Sequence, residues 1–383
     1  MYRNNKAAIF DLLICLSVFL QPTLAVLQIV VSAVLGIDID GTTIIRVALT
    51  AILMLSAIIV SFSRRSVLFF LTYVIVLTIL LFHASVFPAN VEYMISEAPR
   101  FLLSVIIPSA LCLCTVKNLI VLKHATIITA WCTVFLIVIY VGAFFKGMFF
   151  FEKYNMTFSY GCLFTMLVLF YQKKTLPLIV SLIVLLIVVA IGSRGAALIF
   201  VGYIVADLFL QRSKFRWMLL IGCVVITFLV PLFSDFLDSI GITSRTLMRI
   251  GDGELMYSSG REELYPVFLN LMNENPILGI GLYGDRLYSD GTYCHNLFLE
   301  LCLDFGIPIG TIIIISGFII IVRSYLRCDY DMRRLLLLFV FYGICPLLAS
   351  NSYLVDNYLA VLVGIIVLIK KNKYRFNSVS IYK

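Results

Sequence analysis

The sequence predicts an all-α, polytopic integral membrane protein, and two observations support this fold class. Hydrophobic residues make up 62% of the 383-residue chain and charged residues only 13%, whereas soluble domains contain about 45–50% apolar and about 25% charged residues. Apolar runs of about 20 residues, the length that a helix needs to cross a bilayer, recur along the whole chain. Since no low-complexity segment divides these runs, we predict a single membrane domain over residues 1–383.

Taken in order, the apolar runs predict about twelve transmembrane helices. The predicted spans are residues 7–35, 44–62, 67–87, 101–116, 125–145, 157–171, 176–191, 196–210, 217–233, 296–322, 335–350 and 353–369. The first run is too long for one straight crossing and carries Pro22 near its middle. Three conformations are compatible with this segment: a kinked helix, a strongly tilted helix and two half-helices.

The distribution of basic residues predicts the orientation of the chain. With a cytoplasmic N-terminus, 20 of the 29 lysine and arginine residues fall on the cytoplasmic side, as the positive-inside rule requires. We therefore predict that both termini are cytoplasmic, in the cytoplasmic (inner) membrane. This asymmetry accounts for the net charge of +8 through contact with anionic lipid headgroups of the bilayer, so the charge gives no support to a nucleic-acid partner.

The ten cysteines do not form a recognisable disulfide or metal-binding pattern. Eight lie within predicted helices, Cys328 is predicted to be cytoplasmic, and only Cys294 falls in an external loop. The acidic pairs of the chain have no nearby histidine that would complete a metal site. We therefore expect no disulfide, no bound metal and no cofactor.

One connection, residues 234–295, is much longer than ordinary loops and is predicted to be external, structured and functional. Ser258-Ser259 offers a helix N-cap, and an amphipathic helix is expected to begin near Gly260. Its apolar stripe is Leu264, Val267, Phe268 and Leu271. Asn275-Pro276 is expected to end this helix, which would lie on the outer surface of the bilayer.

Polar side chains of the helix after this loop share one face. His295 begins the predicted helix, and Asn296, Glu300 and Asp304 follow at intervals of four residues, which stacks them along one side. Carboxylates within the hydrocarbon region need a wet cavity or polar partners, and intramembrane ionisable groups are functional candidates. The alternative is a structural polar seam that locks neighbouring helices together.

A second charged feature is the connection Gly192-Ser-Arg194-Gly, whose flanking spans place Arg194 at the outer membrane boundary, on the same side as Arg261 and His295. Guanidinium groups bind phosphate oxygens in a bidentate fork, so these groups would suit an anionic ligand such as a lipid-linked diphosphate. Arg100 also lies near the external face and is a further candidate for contact with that diphosphate. The alternative for both boundary arginines is contact with lipid headgroups.

An ordered set of motifs in the second half of the chain resembles a known family. The motifs are Gly192-Ser-Arg-Gly-Ala, Gly260-Arg261, Asn275-Pro-Ile-Leu-Gly-Ile-Gly281, His295-Asn-x-x-Leu299, Asp304-x-Gly306 and Gly310. They resemble the O-antigen ligase and polymerase superfamily, in the same order and on the same predicted side of the membrane. The resemblance implies a C-type membrane glycosyltransferase that inverts the transferred sugar without a metal or cofactor.

The resemblance also implies a role for each matching residue. The family's loop histidine falls on His295, which is expected to deprotonate or orient the acceptor hydroxyl. Two family arginines fall on Arg261 and Arg194, which are expected to offset the negative charge of the departing diphosphate. Asn296 and Asp304 are expected to support them as substrate-binding residues.

The sequence is compatible with three functions. The favoured one is a polymerase that joins undecaprenyl-diphosphate-linked repeat units of a surface polysaccharide, such as lipopolysaccharide or capsule, with a chain-length regulator as an implied partner. The second is a ligase that transfers the finished glycan to lipid A core or another acceptor. The third, of a different class, is a lipid-linked oligosaccharide transporter, for which Glu300 and Asp304 would be the supporting features.

Overall fold

The structure, a computed structural model, describes residues 2–37, 39–64, 67–148, 155–190, 194–211 and 261–380. Within these ranges the regular secondary structure is helical and contains no strand. The predicted all-α class is therefore confirmed. The predicted span 217–233 and the first part of the long loop lie outside the described residues.

The helices follow the apolar runs of the sequence. In chain order they are α1 (Tyr2–Leu35), α2 (Ile39–Ser63), α3 (Val67–Val86), α4 (Val91–Arg100), a π-helix (Phe101–Cys112), α5 (Leu119–Phe145), α6 (Met156–Tyr171), α7 (Thr175–Ala190), α8 (Arg194–Gln211), α9 (Arg261–Glu274), α10 (Leu297–Arg327), α11 (Tyr330–Gly343), α12 (Cys345–Ala349) and α13 (Tyr358–Ser380). Short 3-10 turns occur at Pro88–Asn90, Leu113–Thr115 and Gly284–Tyr288.

Six helical segments of the described chain are long and apolar enough to cross a membrane. They are Ala7–Leu35, Gly41–Phe62, Pro88–Thr115, Leu119–Phe145, Leu297–Arg327 and Tyr330–Ala349. Shorter apolar helices occupy Phe70–Val86, Met156–Tyr171 and Thr175–Ala190. The protein is thus a multi-pass membrane protein. Around Pro22 the first helix continues without a break from Tyr2 to Leu35.

The last two predicted spans differ from the structure at the point where they approach each other. The predicted helix 335–350 is interrupted, because α11 ends at Gly343 and the short helix α12 begins at Cys345, with Pro346 in its first turn. The final helix begins at Tyr358 and not at Tyr353 as predicted. Apolar composition alone could not separate the two, since the partly buried Tyr353 and the buried Leu354 pack against protein groups in the intervening segment and not in a membrane helix.

The predicted amphipathic helix of the long loop is present as α9, which ends at Glu274, just before Asn275-Pro276. Phe268 and Leu271 are buried and pack with Leu264, Ile280 and Leu303. The predicted stripe was wrong for Val267, whose side chain is 40% exposed. The proposed N-cap, Ser258-Ser259, lies outside the described residues.

The segment after α9 packs against a break in α10. Gly306 has φ +78° and ψ 162°, which is not helical, and it separates the first turns of α10 from the rest. The main-chain N–H of Ile280 donates to the carbonyl of Leu303 (2.7 Å), and that of Ile307 donates to the carbonyl of Pro276 (2.8 Å). A Cβ on Gly306 would overlap the carbonyl oxygen of Ile277, so only glycine fits this close approach.

The described residues divide into two compact units. One unit comprises Met1–Val18, Met54–Val121 and Ser258–Lys383, and the other comprises Phe19–Leu53 and Leu122–Tyr257. In the second unit α6 packs against α7 and α8, and the rings of Phe19 and Phe164 stack with centroids 5.3 Å apart. Five predicted site residues lie in the first unit, whereas Arg194 lies in the second.

Candidate active site

His295 is positioned by the start of α10. The side-chain oxygen of Asn296 accepts hydrogen bonds from the main-chain N–H groups of Phe298 (3.1 Å) and Leu299 (3.3 Å), and so caps the helix. The helix therefore begins at Leu297, one residue after the start of the predicted span 296–322 and two residues after His295. His295 itself has φ +58°, a left-handed conformation that is uncommon for residues other than glycine. This turn directs the chain from the long loop into the helix.

Ser350 brings the predicted base and one predicted arginine together. The Nδ1 atom of His295 lies 2.6 Å from the main-chain carbonyl oxygen of Ser350. The Nη2 group of Arg261, the first residue of α9, donates to the Ser350 hydroxyl at 3.2 Å. His295 and Arg261, which are 34 positions apart in the chain, are both half-buried and share this one partner.

The surroundings of His295 favour its neutral form. Burial lowers the pKa of His295 below its ordinary value of 6.5, and the positive charges of Arg261 and Arg286 lower it further, although the Ser350 carbonyl and Asp285 act in the opposite direction. A neutral imidazole is the state that can accept a proton at physiological pH. The local electrostatics thus suit a general base.

Tyr293 lines the same turn, with its ring centroid 4.4 Å from that of His295. Burial raises the pKa of Tyr293 to about 12, so its hydroxyl remains protonated. The positive charge of Arg100 opposes this shift, which indicates that Arg100, the exposed last residue of α4, lies near the turn. Its predicted contact with substrate stays a prediction.

Behind this turn lies a buried charge cluster centred on Arg286. Arg286 donates to Asp285 at 2.5 Å and forms longer ion pairs, each of 3.6 Å, with Glu97 and Glu300. Its guanidinium group also lies over the ring of Tyr283, 5.0 Å from the centroid. The Arg286 side chain is fully buried, so these carboxylates supply the compensation that a buried cation requires.

The two carboxylates of α10 point into this cluster. Glu300 and Asp304 are fully buried. The hydroxyl of Ser352 donates to Glu300, and the hydroxyl of Tyr353 donates to Asp304 at 2.5 Å. These contacts fit the interpretation of a polar seam between neighbouring elements. A direct role of Asp304 in substrate binding stays a prediction.

Arg194 is the first residue of α8 and is half-buried within the second unit. Its neighbour Gly195 packs against Tyr160, because a Cβ at that position would overlap the tyrosine hydroxyl. Residues 191–193, which precede it in the motif, lie outside the described residues. Convergence of Arg194 with Arg261 and His295 therefore remains a prediction.

An apolar groove of about 380 Å³ opens beside the turn, between α9 and the start of α10. It is lined by Tyr265, Leu269, Met272, Asn296, Phe298, Leu299 and Cys302. Asn296 is its polar edge and directly follows His295 in the chain. The groove therefore adjoins the site formed by His295, Arg261 and Ser350.

Comparison with known proteins gives one match. Residues 179–315 match the family model described as O-antigen ligase. This stretch, here called the O-antigen ligase segment after the model that it matches, is similar to that family. No curated protein and no solved structure matches the chain.

The O-antigen ligase segment contains five of the six predicted site residues, namely Arg194, Arg261, His295, Asn296 and Asp304. Arg100 precedes it. The groups that hold His295, Arg261 and Asp304 in place, Ser350 and Tyr353, follow it in sequence. The site is therefore completed by parts of the chain outside the matched segment.

Arg286 and the serines at positions 350 and 352 were not predicted as site residues from the sequence. A signal for Arg286 was present, because two carboxylates on one face of a membrane helix require a cation or donors nearby, and Arg286 is the last arginine of the loop that precedes this helix. The serines carried no such signal. Their contacts depend on the interruption of the helices around Pro346, which apolar composition conceals.

Proposed function

We propose that this protein is a membrane glycosyltransferase that polymerises undecaprenyl-diphosphate-linked oligosaccharide repeat units into a surface polysaccharide on the external face of the cytoplasmic membrane. The observation that carries the proposal is that His295 and Arg261, both within the O-antigen ligase segment, contact the same residue, Ser350. A neutral base and a guanidinium group side by side are what transfer from a diphosphate to a hydroxyl requires.

In the proposed reaction, His295 accepts the proton of an acceptor sugar hydroxyl. The hydroxyl oxygen attacks the anomeric carbon of the donor from the face opposite the diphosphate. The new carbon–oxygen bond forms as the bond to the diphosphate breaks, which inverts the configuration and releases undecaprenyl diphosphate. Arg261, joined by Arg194, offsets the charge that grows on the departing diphosphate.

The apolar groove supports a lipid-linked substrate. Its lining by Leu269, Met272 and Phe298 suits an isoprenoid chain, while Asn296 at its edge lies next to the base. An amphiphilic substrate needs this change from apolar to polar surroundings, since burial of apolar surface favours binding of the tail and hydrogen bonds orient the head.

A ligase is the second candidate, favoured by the description of the matching family. The chemistry at His295 and Arg261 would be the same, with a lipid A core or another anchor as acceptor. The two functions differ in what accumulates when the site is disabled. A polymerase defect leaves single repeat units on the surface anchor, and a ligase defect leaves long chains on undecaprenyl diphosphate.

The test is a gel of surface glycan and of extracted lipid-linked glycan from a deletion strain complemented with wild type, His295→Ala or Arg261→Ala. Matched controls are His124→Ala and Arg323→Ala, which change exposed side chains of the same types away from the site. We expect single repeat units with both site variants and a full ladder with both controls. An unchanged ladder in the site variants would overturn the assignment.

The same extracts address the transporter alternative. Loss of a transporter would leave single repeat units on the carrier lipid and none on the surface anchor. The partners of Glu300 and Asp304 weigh against that class, because Ser352, Tyr353 and Arg286 already engage one oxygen of each carboxylate within the protein.

A further inference from the structure

A four-residue segment between α12 and α13, Ser350 to Tyr353, contacts five residues of the site and of the buried charge cluster. Ser350 contacts His295 and Arg261, as described above. Ser352 accepts a hydrogen bond from Arg286 (3.4 Å) and donates one to Glu300, and Tyr353 donates one to Asp304. Ser350 and Ser352 are 7% and 0% exposed, so these contacts are made inside the protein.

We infer that this segment, here called the positioning segment, fixes the tautomer of His295 so that Nε2 is the proton-accepting atom, and that its Ser350 hydroxyl orients Arg261. The inference rests on the proposed function, since it assigns the reactive atom of the proposed base. It adds residues from outside the O-antigen ligase segment, and it gives them a positioning role and not a catalytic one.

The tautomer follows from the identity of the partner. A main-chain carbonyl oxygen can only accept a hydrogen bond, so the Nδ1 atom of His295 must carry the proton at a separation of 2.6 Å. A neutral imidazole has one N–H, which leaves the lone pair on Nε2. The acceptor hydroxyl of the substrate must then approach Nε2.

The Ser350 hydroxyl acts on Arg261 in a separate way. It accepts one N–H of the guanidinium group at 3.2 Å. A guanidinium group has five N–H donors, so the remaining ones stay available for a diphosphate. One residue therefore holds the base through its main chain and the arginine through its side chain, which allows the two effects to be separated by mutation.

The buried charge cluster explains how the segment is held. The main-chain N–H of Ser350 donates to the carbonyl of Pro346 at 2.9 Å, which fixes one end. Arg286 and Glu300 hold Ser352, whose hydroxyl oxygen also accepts the N–H of Leu354 at 3.2 Å. These hydrogen bonds join Ser352 to two buried charged groups and to the main chain that follows it, and so they restrict where the segment can lie.

The first test reads the tautomer directly by nuclear magnetic resonance. The chain contains three histidines, so full-length protein labelled with 15N-histidine in lipid nanodiscs gives few imidazole signals, and His295→Gln identifies the one of interest. We expect a protonated Nδ1 and an unprotonated Nε2 at neutral pH. A proton on Nε2, or rapid averaging between the two tautomers, would overturn the inference. Because the signal does not depend on turnover, this result is independent of whether His295 is catalytic.

The second test uses Ser350→Ala and Ser350→Thr in purified protein supplied with lipid-linked repeat units from the deletion strain. Alanine keeps the main-chain carbonyl and removes the hydroxyl, so we expect KM for the lipid-linked substrate to rise about tenfold, as for loss of a hydrogen bond to a charged group. The pH profile of kcat should not change, and threonine should restore KM. Ser316→Ala, an exposed serine of α10, is the control.

Three results would contradict the role of the Ser350 hydroxyl: an unchanged KM in Ser350→Ala, a threonine variant no better than alanine, or a shifted pH profile. If Ser350→Ala does not accumulate as folded protein, the tautomer of the wild-type protein still decides the inference. If instead His295→Ala polymerises at the wild-type rate, the proposed function fails while the tautomer result stands.

Discussion

At the scale of single residues, a small number of groups position the side chain of His295. Its Nδ1 atom has a main-chain carbonyl as partner, and its ring lies beside Tyr293. In many enzymes a carboxylate fills the orienting position and raises the basicity of the imidazole. Here a neutral carbonyl fills it, and burial, together with the nearby arginines, favours the uncharged ring.

The environment of His295 leads to a prediction about pH. Burial is the largest cause of its lowered pKa, so the neutral, active form should persist below pH 6.5 and be lost as the pH falls through the lowered pKa. We expect kcat/KM of purified protein, which reports the substrate-free enzyme, to be constant from neutral pH down to an acid limb with its midpoint below 6.5. A midpoint above that value would show that His295 is not the titrating base.

The residue types of the site were largely predictable, and their partners were not. A histidine after a long loop and an arginine at the start of an amphipathic helix are visible in the sequence. Their meeting at Ser350 is not, because Ser350 is distant in sequence from both. A serine in an apolar run has no property that marks it as a contact of a guanidinium group.

At the scale of elements, helix positions followed from apolar runs, whereas helix interruptions did not. The sequence predicted the position of α9 and of most helices of the described chain, since length and composition suffice for both. The breaks at Gly306 and around Pro346 depend on what packs beside them. The main chain leaves the helical conformation at Gly306. The segment around Ile277 passes so close to this residue that a side chain would not fit.

The break in α10 is expected to be sensitive to a single methyl group. Gly306→Ala combines a left-handed conformation with an overlap with the Ile277 carbonyl, so we expect it to destabilise the protein by about 1–3 kcal/mol or more. Gly317→Ala is the matched control in the same helix, because open space surrounds its Cβ position. Thermal unfolding in detergent should separate the two variants, and equal midpoints would contradict this account of the break.

At the scale of the whole molecule, the sequence predicted the membrane class and a family resemblance over its second half, and the structure added how the charges of one unit are arranged. The composition required a polytopic membrane protein, and six long apolar helices of the described chain agree with it. The orientation of the termini and the contribution of Arg194 rest on charge distribution and on the family resemblance. Those predictions depend on relations between distant parts of the chain, which local patterns do not encode.

The central claim is that His295 serves as the base in glycosyl transfer from a lipid diphosphate. Its most direct test is transfer by purified protein in vesicles containing lipid-linked repeat units from the deletion strain, with chain length and released undecaprenyl diphosphate measured together. We predict that wild type and His124→Ala form chains and release one carrier diphosphate for each linkage, while His295→Ala is slower by a factor of about 10²–10⁴. Transfer by folded His295→Ala at the wild-type rate would contradict the claim.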